Sequence, residues 1–360
     1  MINLFIFLII LSILILVHEF GHFIVAKRMG VRVEQFSLGF GPTLLKKKKN
    51  GTEYSLSLFP LGGFVKLAGD NYQEFTGKPD EYLSQKPGRR FWIIFFGPLL
   101  NYVLGFLFFW LICFIGYPSL TTKVGGLLEG FGAEESGIME GDRIVAIDGK
   151  KVEYWEELQR EVHSRKSEDH VNVSLKRGDE ELTLAVRIRQ RSMEDQIGQK
   201  RKLGLLGITP FDEVVTLKHG LLGSFPAAFN KTKDLTIMTY KALGFLAMGR
   251  ISMRESMTGP LGIFFITSRA ASLGFIPLLH LMAVLSLSLA IFNLLPLPIL
   301  DGGHIMFLGL EKMRGRALSP KMDKAVNKIG VTLILSLAIF VTYNDIVRNF
   351  GDKVSKFFMR

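Results

Sequence analysis

Two histidines and a glutamate stand together in the segment VHEFGHF, residues 17–23. His18 and His22 are four residues apart, so on a helix they lie one above the other on the same face and can share one metal ion. Glu19, beside them, is suited to accept a proton from a metal-bound water. This pattern predicts hydrolysis by a zinc-activated water, with His18 and His22 as ligands and Glu19 as the general base.

The segment before this motif has the composition of a membrane helix. Residues 1–16 carry no charge, and Asn3 and Ser12 are their only clearly polar side chains. An ionisable group near the centre of a bilayer costs about 2.5–3.5 kcal/mol. A functional reason for the three polar residues is therefore favoured over the alternative, a polar cluster that only joins helices.

A third zinc ligand is predicted at Asp301, in FNLLPLPILDGGH, residues 292–304. A catalytic zinc usually takes three protein ligands and keeps one position for water. Pro296 and Pro298 disrupt a helix, while Gly302 and Gly303 permit an unusual backbone path. The carboxylate is thus expected in irregular structure at a helix end, although a simple polar turn at the membrane surface is the alternative.

The composition predicts a membrane protein with a soluble insert. Of the 360 residues, 48% are hydrophobic, and the formal net charge is +11. Four apolar runs can cross a bilayer, at 2–26, 91–117, 278–300 and 329–347. The basic residues lie beside these runs, so topology explains them and nucleic acid is not an expected partner. The single cysteine, Cys113, excludes an intramolecular disulfide.

The basic connections also predict the orientation. The loops after the first and third runs are rich in Lys and Arg, which places them in the cytosol and places the N-terminus, residues 118–277 and the C-terminus outside. His18 and His22 then lie roughly 25 Å along the first helix, near the cytosolic side marked by Lys27 and Arg28. The third run reaches the same side at Asp301, so the three ligands are expected at one depth.

The outer segment has the pattern of a small β-rich domain. GAEESGIMEGDRIVAIDGKKV, residues 132–152, is followed by a helical pattern around YWEELQREV and by two alternating runs, HVNVSLKRG and ELTLAVRIRQ. This resembles a bacterial PDZ domain; an unspecified β-rich domain is the alternative. Residues 220–250 are apolar but interrupted by Pro and charged residues, which favours a helix on the membrane surface over a fifth span.

The fold class expected is therefore a polytopic α-helical membrane protein with about four transmembrane helices, an inserted β-rich PDZ-like domain and a membrane-associated β-hairpin or loop. The expected segments are a first membrane helix (1–30), a cytosolic-side loop and hairpin (31–90), a second helix (91–117), the PDZ-like domain (118–195), a linker with membrane-surface helices (196–277), a third helix (278–304), a basic cytosolic loop (305–328), and a fourth helix with an outer tail (329–360).

Together these motifs resemble the site-2 protease family, in its bacterial branch related to the sigma-E regulator protease. The resemblance rests on HEFGH, GFG (39–41), PLGGFVKL (60–67), GPLLN (97–101), TGPLGI (258–263), NLLPLPILDGGH and the PDZ-like insert. It implies a zinc endopeptidase of the bacterial cytoplasmic membrane that cleaves single-pass membrane proteins already shortened by another protease, such as anti-sigma factors or remnant signal peptides. Relatives often carry two PDZ domains, whereas one is found here.

Substrate-binding residues follow from the resemblance and from local patterns. Residues 51–69 alternate and are expected to turn at Pro60 to Gly63, so Gly62 and Gly63 belong to a hairpin or loop whose edge can accept an extended substrate, unless the hairpin is only structural. Asn293, in NxxPxP, is implied to hold substrate backbone, and a structural role is equally open. Asn101 has the same ambiguity.

Several alternatives remain open from the sequence. His304 is expected to be solvated or to support the site rather than to bind metal. The PDZ-like domain is expected to bind peptide or substrate ends, or to exclude bulky substrates. The competing function is a noncatalytic membrane scaffold with a structural zinc site, which would not need Glu19. A zinc transporter is disfavoured because the membrane segments show no repeat symmetry.

Overall fold

A computed structural model describes residues 2–166, 168–194, 200–316 and 319–358. The chain forms two compact units. The first is made of Met1–Ile112 together with Phe225–Arg360, and the second is Cys113–Ser224. The second unit is thus an insertion into the first.

The first unit is mainly helical. Its helices are α1 (Ile2–Arg28), α2 (Pro87–Ile115), α5 (Leu221–Ala247), α6 (Met253–Ser256), α7 (Pro260–Leu273), α8 (Phe275–Asn293), α9 (Asp301–Arg314) and α10 (Pro320–Phe358). By length and composition, α1, α2, α8 and the Pro320–Arg348 part of α10 can cross a membrane. Together with the β-rich insert, this confirms the expected fold class.

Local sequence explains where the helices begin and end. Pro87 starts α2 at a position where its missing N–H is not needed, and Gly315, with φ of 69°, ends α9 in the left-handed conformation. The prolines after Asn293 stop α8, and the chain continues without regular helix until Asp301, as the sequence predicts. Within the expected loop 305–328, residues 305–314 instead continue α9 and residues 320–328 form the beginning of α10.

The 31–90 segment contains a long hairpin of β1 (Val33–Lys49) and β2 (Thr52–Leu67). Its turn is Asn50–Gly51, with φ of 50° and 77°, the positive values that a two-residue type I′ turn needs. The chain also reverses direction near Pro60 to Gly63, as expected, because 53–56 and 63–66 run in opposite directions beside 35–38, although both belong to β2. A short 3-10 helix, Tyr82–Ser84, precedes α2.

Each strand of the hairpin folds back on itself, so that segments of β1 and β2 alternate across one sheet. Gln35–Leu38 pairs with Glu53–Leu56 and also with Gly63–Lys66, so it lies between these two segments of β2. Residues 43–49 pair with 52–57 on the far side. The segment 63–67 is therefore an outer edge of the sheet.

The insert is built from short strands around its own core. Its elements are β3 (Tyr117–Leu120), β4 (Val124–Leu127), α3 (Gly132–Glu135), β5 (Arg143–Ile147), β6 (Lys150–Lys151), α4 (Trp155–His163), β7 (His170–Arg177), β8 (Glu180–Arg187), β9 (Arg189–Glu194), β10 (Lys200–Leu205), β11 (Ile208–Pro210) and β12 (Val214–Leu217). The main sheet has the order β6-β5-β7-β8. Alternate residues of β7, including Val171, Val173 and Leu175, are buried in the core.

The insert extends beyond the expected 118–195 range. Residues 200–217, expected in a linker, form β10, β11 and β12, which pair with β9, β4 and β3. The backbone N–H of His219 donates to the carbonyl of Cys113, so the two ends of the insert lie side by side. The insert is thus closed by pairing of strands from its beginning and its end.

Candidate metal centre

Three predicted ligands meet in the first unit. The Nε2 atoms of His18 and His22 are 3.2 Å apart, Asp301 Oδ2 lies 3.1 Å from His18 Nε2, and Asp301 Oδ1 lies 3.6 Å from His22 Nε2. A tetrahedral zinc with bonds of about 2.0–2.1 Å holds its ligands about 3.3–3.4 Å apart. The spacing of the three side chains therefore fits a zinc ion.

The helices α1 and α2 orient His22 for this role. The Nδ1 atom of His22 lies 2.9 Å from the carbonyl oxygen of Ile93 on α2. A carbonyl only accepts hydrogen bonds, so Nδ1 carries the proton and Nε2 is left with its lone pair facing the other ligands. The Nδ1 atom of His18 is buried and has no hydrogen-bond partner among the described residues.

Glycine makes room for the imidazoles. A Cβ at Gly97 on α2 would lie 2.3 Å from His22 Nε2 and 3.1 Å from His18 Cε1. On α1, a Cβ at Gly21 would lie 2.2 Å from the carbonyl oxygen of Phe96 on α2, so the backbones of the two helices approach each other closely. This close approach brings α2 directly against the two histidines.

A folded-back loop sets the position of Asp301. A Cβ at Gly302 would lie 2.3 Å from the carbonyl oxygen of Leu294, and one at Gly303 would lie 2.1 Å from that of Leu297. The loop that follows α8 thus packs against the first turn of α9, where only glycine fits. Asp301 begins α9, and its side chain is 17% exposed.

Glu19 lies between the ligands and the outer edge of the sheet. The backbone N–H of Val65 donates to its carboxylate. A Cβ at Gly63 would lie 3.7 Å from Glu19 Cγ and 3.8 Å from Ile15 Cγ2. The segment 63–67 therefore runs beside the glutamate that follows the first histidine.

The other predicted residues have different positions. Gly62 packs against the ring of Phe40, and His304 is exposed on α9. Asn293 ends α8 and is partly buried; the helix breaks there, so it does not lie two regular helical turns before Asp301. Asn101 is fully buried, and neither its Oδ1 nor its Nδ2 has a partner in the described parts of the chain.

Sequence reasoning missed three contributors to the site. Ile93 and Val65 act through the backbone, which leaves no signature in their side chains. Gly97 lies in GPLLN, which the sequence marks as a motif, but its contact with the histidines depends on how the two helices pack. The hairpin turn at Asn50–Gly51 was also missed, although an Asn-Gly pair is a direct sequence signal for such a turn.

The geometry defines a class of protein. Two histidines on one helix and a carboxylate from a second helix could hold a metal ion, and with an adjacent glutamate they fit the residue set of a metal-dependent hydrolase in a polytopic helical protein. The sequence profile of peptidase family M50 matches residues 6–337. The chain belongs to this family, the site-2 proteases, and is a metalloprotease.

Individual relatives are similar over nearly the whole chain. A provisionally named zinc metalloprotease of Agrobacterium fabrum is 33% identical over 359 residues, covering 94% of this chain and 94% of the relative. The regulator of sigma E protease of Haemophilus influenzae is 27% identical over 434 residues, covering 95% and 98%. The solved PDZ domain of the SdrC-like protein of Listeria monocytogenes is 25% identical over 27% of this chain and 90% of that domain, with a TM-score of 0.21.

Proposed function

We propose that this metalloprotease is a zinc-dependent intramembrane endopeptidase in which His18, His22 and Asp301 bind zinc and Glu19 is the general base. The observation that carries the proposal is the convergence of the three ligand atoms within 4.8 Å of one another, although they come from helices far apart in sequence. The relatives named as zinc metalloproteases support the choice of metal.

The chain's own residues account for the proton transfers. Zinc, when bound, supplies a Lewis acid that activates the attacking water and polarises the scissile carbonyl. Glu19 follows His18 directly on α1, so its carboxylate lies beside the position of the attacking water. It can accept a proton from this water and return it to the leaving amine. The Val65 N–H holds the Glu19 carboxylate in place for both steps.

The outer edge of the sheet is the proposed binding strand for substrate. Backbone groups alternate between the two sides of a strand, and Val65 points its N–H toward Glu19. Gly63, two residues earlier, then presents its backbone on the same side. A transmembrane helix must unwind to be cut, and an added strand replaces its lost hydrogen bonds. Gly63 lies on this edge, whereas Gly62 is buried against the ring of Phe40. Asn293 remains a proposed contact to substrate backbone, and Asn101, which is fully buried, fits the alternative role in helix packing.

The substrates proposed are single-pass membrane proteins shortened beforehand by another protease, such as anti-sigma factors or remnant signal peptides. The name of the Haemophilus relative, a regulator of sigma E protease, supports this class. The bacterial relatives support a location in the bacterial cytoplasmic membrane. The basic residues near the ends of the helices support an orientation with the N-terminus and insert outside and the metal centre near the cytosolic side.

The insert has a groove that suits the end of a peptide. Trp155, Leu158 and Val162 of α4 face Leu206 and Ile208 across this groove. β11 is paired with β4 on one side, so a peptide can add as a strand on its other side and place an apolar side chain against α4. We propose that trimmed substrate ends bind here.

The test uses the purified protein in vesicles with a tagged single-pass substrate. Wild type is compared with Glu19→Gln, with a chelator-treated sample and with Glu129→Gln, a control at an exposed residue of the insert. We expect cleavage only by wild type and by Glu129→Gln. We also expect Glu19→Gln to retain its zinc. Equal inactivity of all samples against several substrates, with zinc verified in the untreated protein and the fold intact, would instead favour the membrane scaffold.

A further inference from the structure

We infer that the buried ion pair between Arg90 and Glu311 positions Asp301 in the metal centre. This inference rests on the proposed zinc site. Arg90 Nη2 contacts Glu311 Oε1, and the two side chains are only 7% and 17% exposed. The pair joins α2 to α9, and neither residue is among the proposed ligands.

Each partner lies on a helix that builds the site. On α2, Arg90 is followed by Ile93, whose carbonyl orients His22, and by Gly97, which lies against both imidazoles. On α9, Glu311 is about 15 Å along the axis from Asp301. The ion pair therefore connects the helix that orients one ligand to the helix that supplies another.

The spacing along α9 places Asp301 and Glu311 on the same side of the helix. Positions 301, 304, 308 and 311 follow the three- and four-residue steps of a single helix face. His304, Leu308 and Glu311 line one cleft together with Arg90 and Ile94. A fixed contact at Glu311 thus sets both the rotation and the axial position of the face that begins with Asp301.

The loop at 294–300 fixes only the first turn of α9. It packs against Gly302 and Gly303, but no continuous helix joins α9 to α8, and Gly315 ends α9 in a left-handed conformation. The contact of Glu311 with α2 therefore adds a second fixed point, about 15 Å along the helix from Asp301.

Stability alone explains this pair poorly. Burying two charges costs free energy that their attraction only partly offsets, and a well-packed apolar pair is often as stable. The Nε atom of Arg90 is buried without a partner in the described residues, so the desolvation of the guanidinium is incompletely compensated. A bond with fixed direction and length gives what apolar packing does not, namely a unique register between the two helices.

The decisive variant replaces both charges with methionine, Arg90→Met with Glu311→Met, so that no unpaired charge is left. Zinc affinity is measured by competition with a chelating dye, and the absorption spectrum of the cobalt-substituted protein reports the ligand geometry. The expected result is an affinity about 10–100-fold weaker with an altered spectrum, the range for supporting residues around a metal. Arg143→Met with Glu213→Met removes an exposed pair in the insert and is expected to change neither.

The outcomes separate the two proposals. Wild-type zinc affinity and an unchanged cobalt spectrum in the double variant would overturn the positioning role. If wild type bound no zinc, or His18→Ala bound it equally well, the metal centre itself would be wrong. Should the double variant fail to fold, Arg90→Lys decides, because it keeps the charge but not the shape of the guanidinium; weaker zinc binding supports the role and wild-type binding refutes it.

Discussion

Gly97 is the residue at which the metal centre leaves no space for a side chain. Gly97→Ala places a methyl group 2.3 Å from His22 Nε2. Overpacking of this kind costs about 1–3 kcal/mol, so zinc binding should weaken about 10–100-fold, with loss of cleavage. The measurement is zinc affinity by dye competition. Gly88→Ala, on the same helix with open space around it, is the control and should behave as wild type.

Variants of Asp301 and His304 test which of these two residues on α9 is the third zinc ligand. Asp301→Ala removes a carboxylate that touches both histidines and should weaken zinc binding by at least about 100-fold, the upper range for supporting residues. His304→Ala removes an exposed side chain and should leave bound zinc unchanged. Metal content after dialysis measures both. Zinc loss from His304→Ala alone would reassign the third ligand.

At the scale of elements, the junction between α8 and α9 holds Asp301, the proposed third ligand. Gly303→Ala would force a methyl group to within 2.1 Å of the Leu297 carbonyl oxygen. The first turn of α9 should then move and take Asp301 with it, with a loss of zinc affinity of about tenfold or more. Gly309→Ala lies on the same helix in open space, and retained affinity in this control would tie the effect to the loop contact.

Within the insert, Asp142 joins the turn before β5 to the end of β7. Its carboxylate accepts hydrogen bonds from Arg177 Nε and Nη2 and from the Met139 N–H, at 2.7–2.8 Å. Burial alone would raise the pKa of Asp142, but these hydrogen bonds outweigh it and lower the pKa below its usual value. The bonds connect two strands that are distant in sequence.

The lowered pKa of Asp142 predicts how the insert responds to acid. Its contribution is fully present above the unfolded pKa of about 3.9 and is lost as pH falls through the lower folded value. The protection factors of insert amides in the full-length protein, which are corrected for the pH dependence of intrinsic exchange, should therefore fall below about pH 4. Asp142→Asn should lower stability by about 1–3 kcal/mol at neutral pH and remove this dependence, whereas Asp179→Asn, at an exposed turn, should not.

At the scale of the whole molecule, the proposed metal ligands and the insert belong to different units. His18, His22 and Asp301 all lie in the first unit, and the insert has a core of its own. Replacing Cys113–Ser224 by a short flexible linker should therefore change zinc affinity by no more than about 0.5 kcal/mol. Cleavage of substrates with long outer domains should rise relative to short ones if the insert excludes them.

This replacement separates a structural from a selective role of the insert. Competition assays with substrates of different outer length measure the selectivity, and zinc affinity serves as the internal control. Loss of zinc binding in the linker variant would show that the insert is needed to form the metal centre. Unchanged selectivity would remove the proposed screening of substrates.

The amino-acid sequence alone determined the chemistry and the class of fold. The helical spacing of His18 and His22 and the apolar composition of α1 are local properties, so they could be read directly. The prolines and glycines around Asp301 likewise predicted the irregular end of α8 because their backbone limits are intrinsic. The strands and helix of the insert from β5 to β8 followed from alternation and turn residues in the same way.

Only the tertiary structure decided how these parts meet. The carbonyl of Ile93, the fit of Gly97 and the pairing of Arg90 with Glu311 depend on the packing of α2 against α1 and α9, which no local pattern specifies. The strands β10, β11 and β12 were missed because they pair with β9, β4 and β3. Of these partners, β3 and β4 lie at the beginning of the insert, far away in sequence. Contacts between residues distant in sequence are set by the whole chain, so they emerge only when the chain is folded.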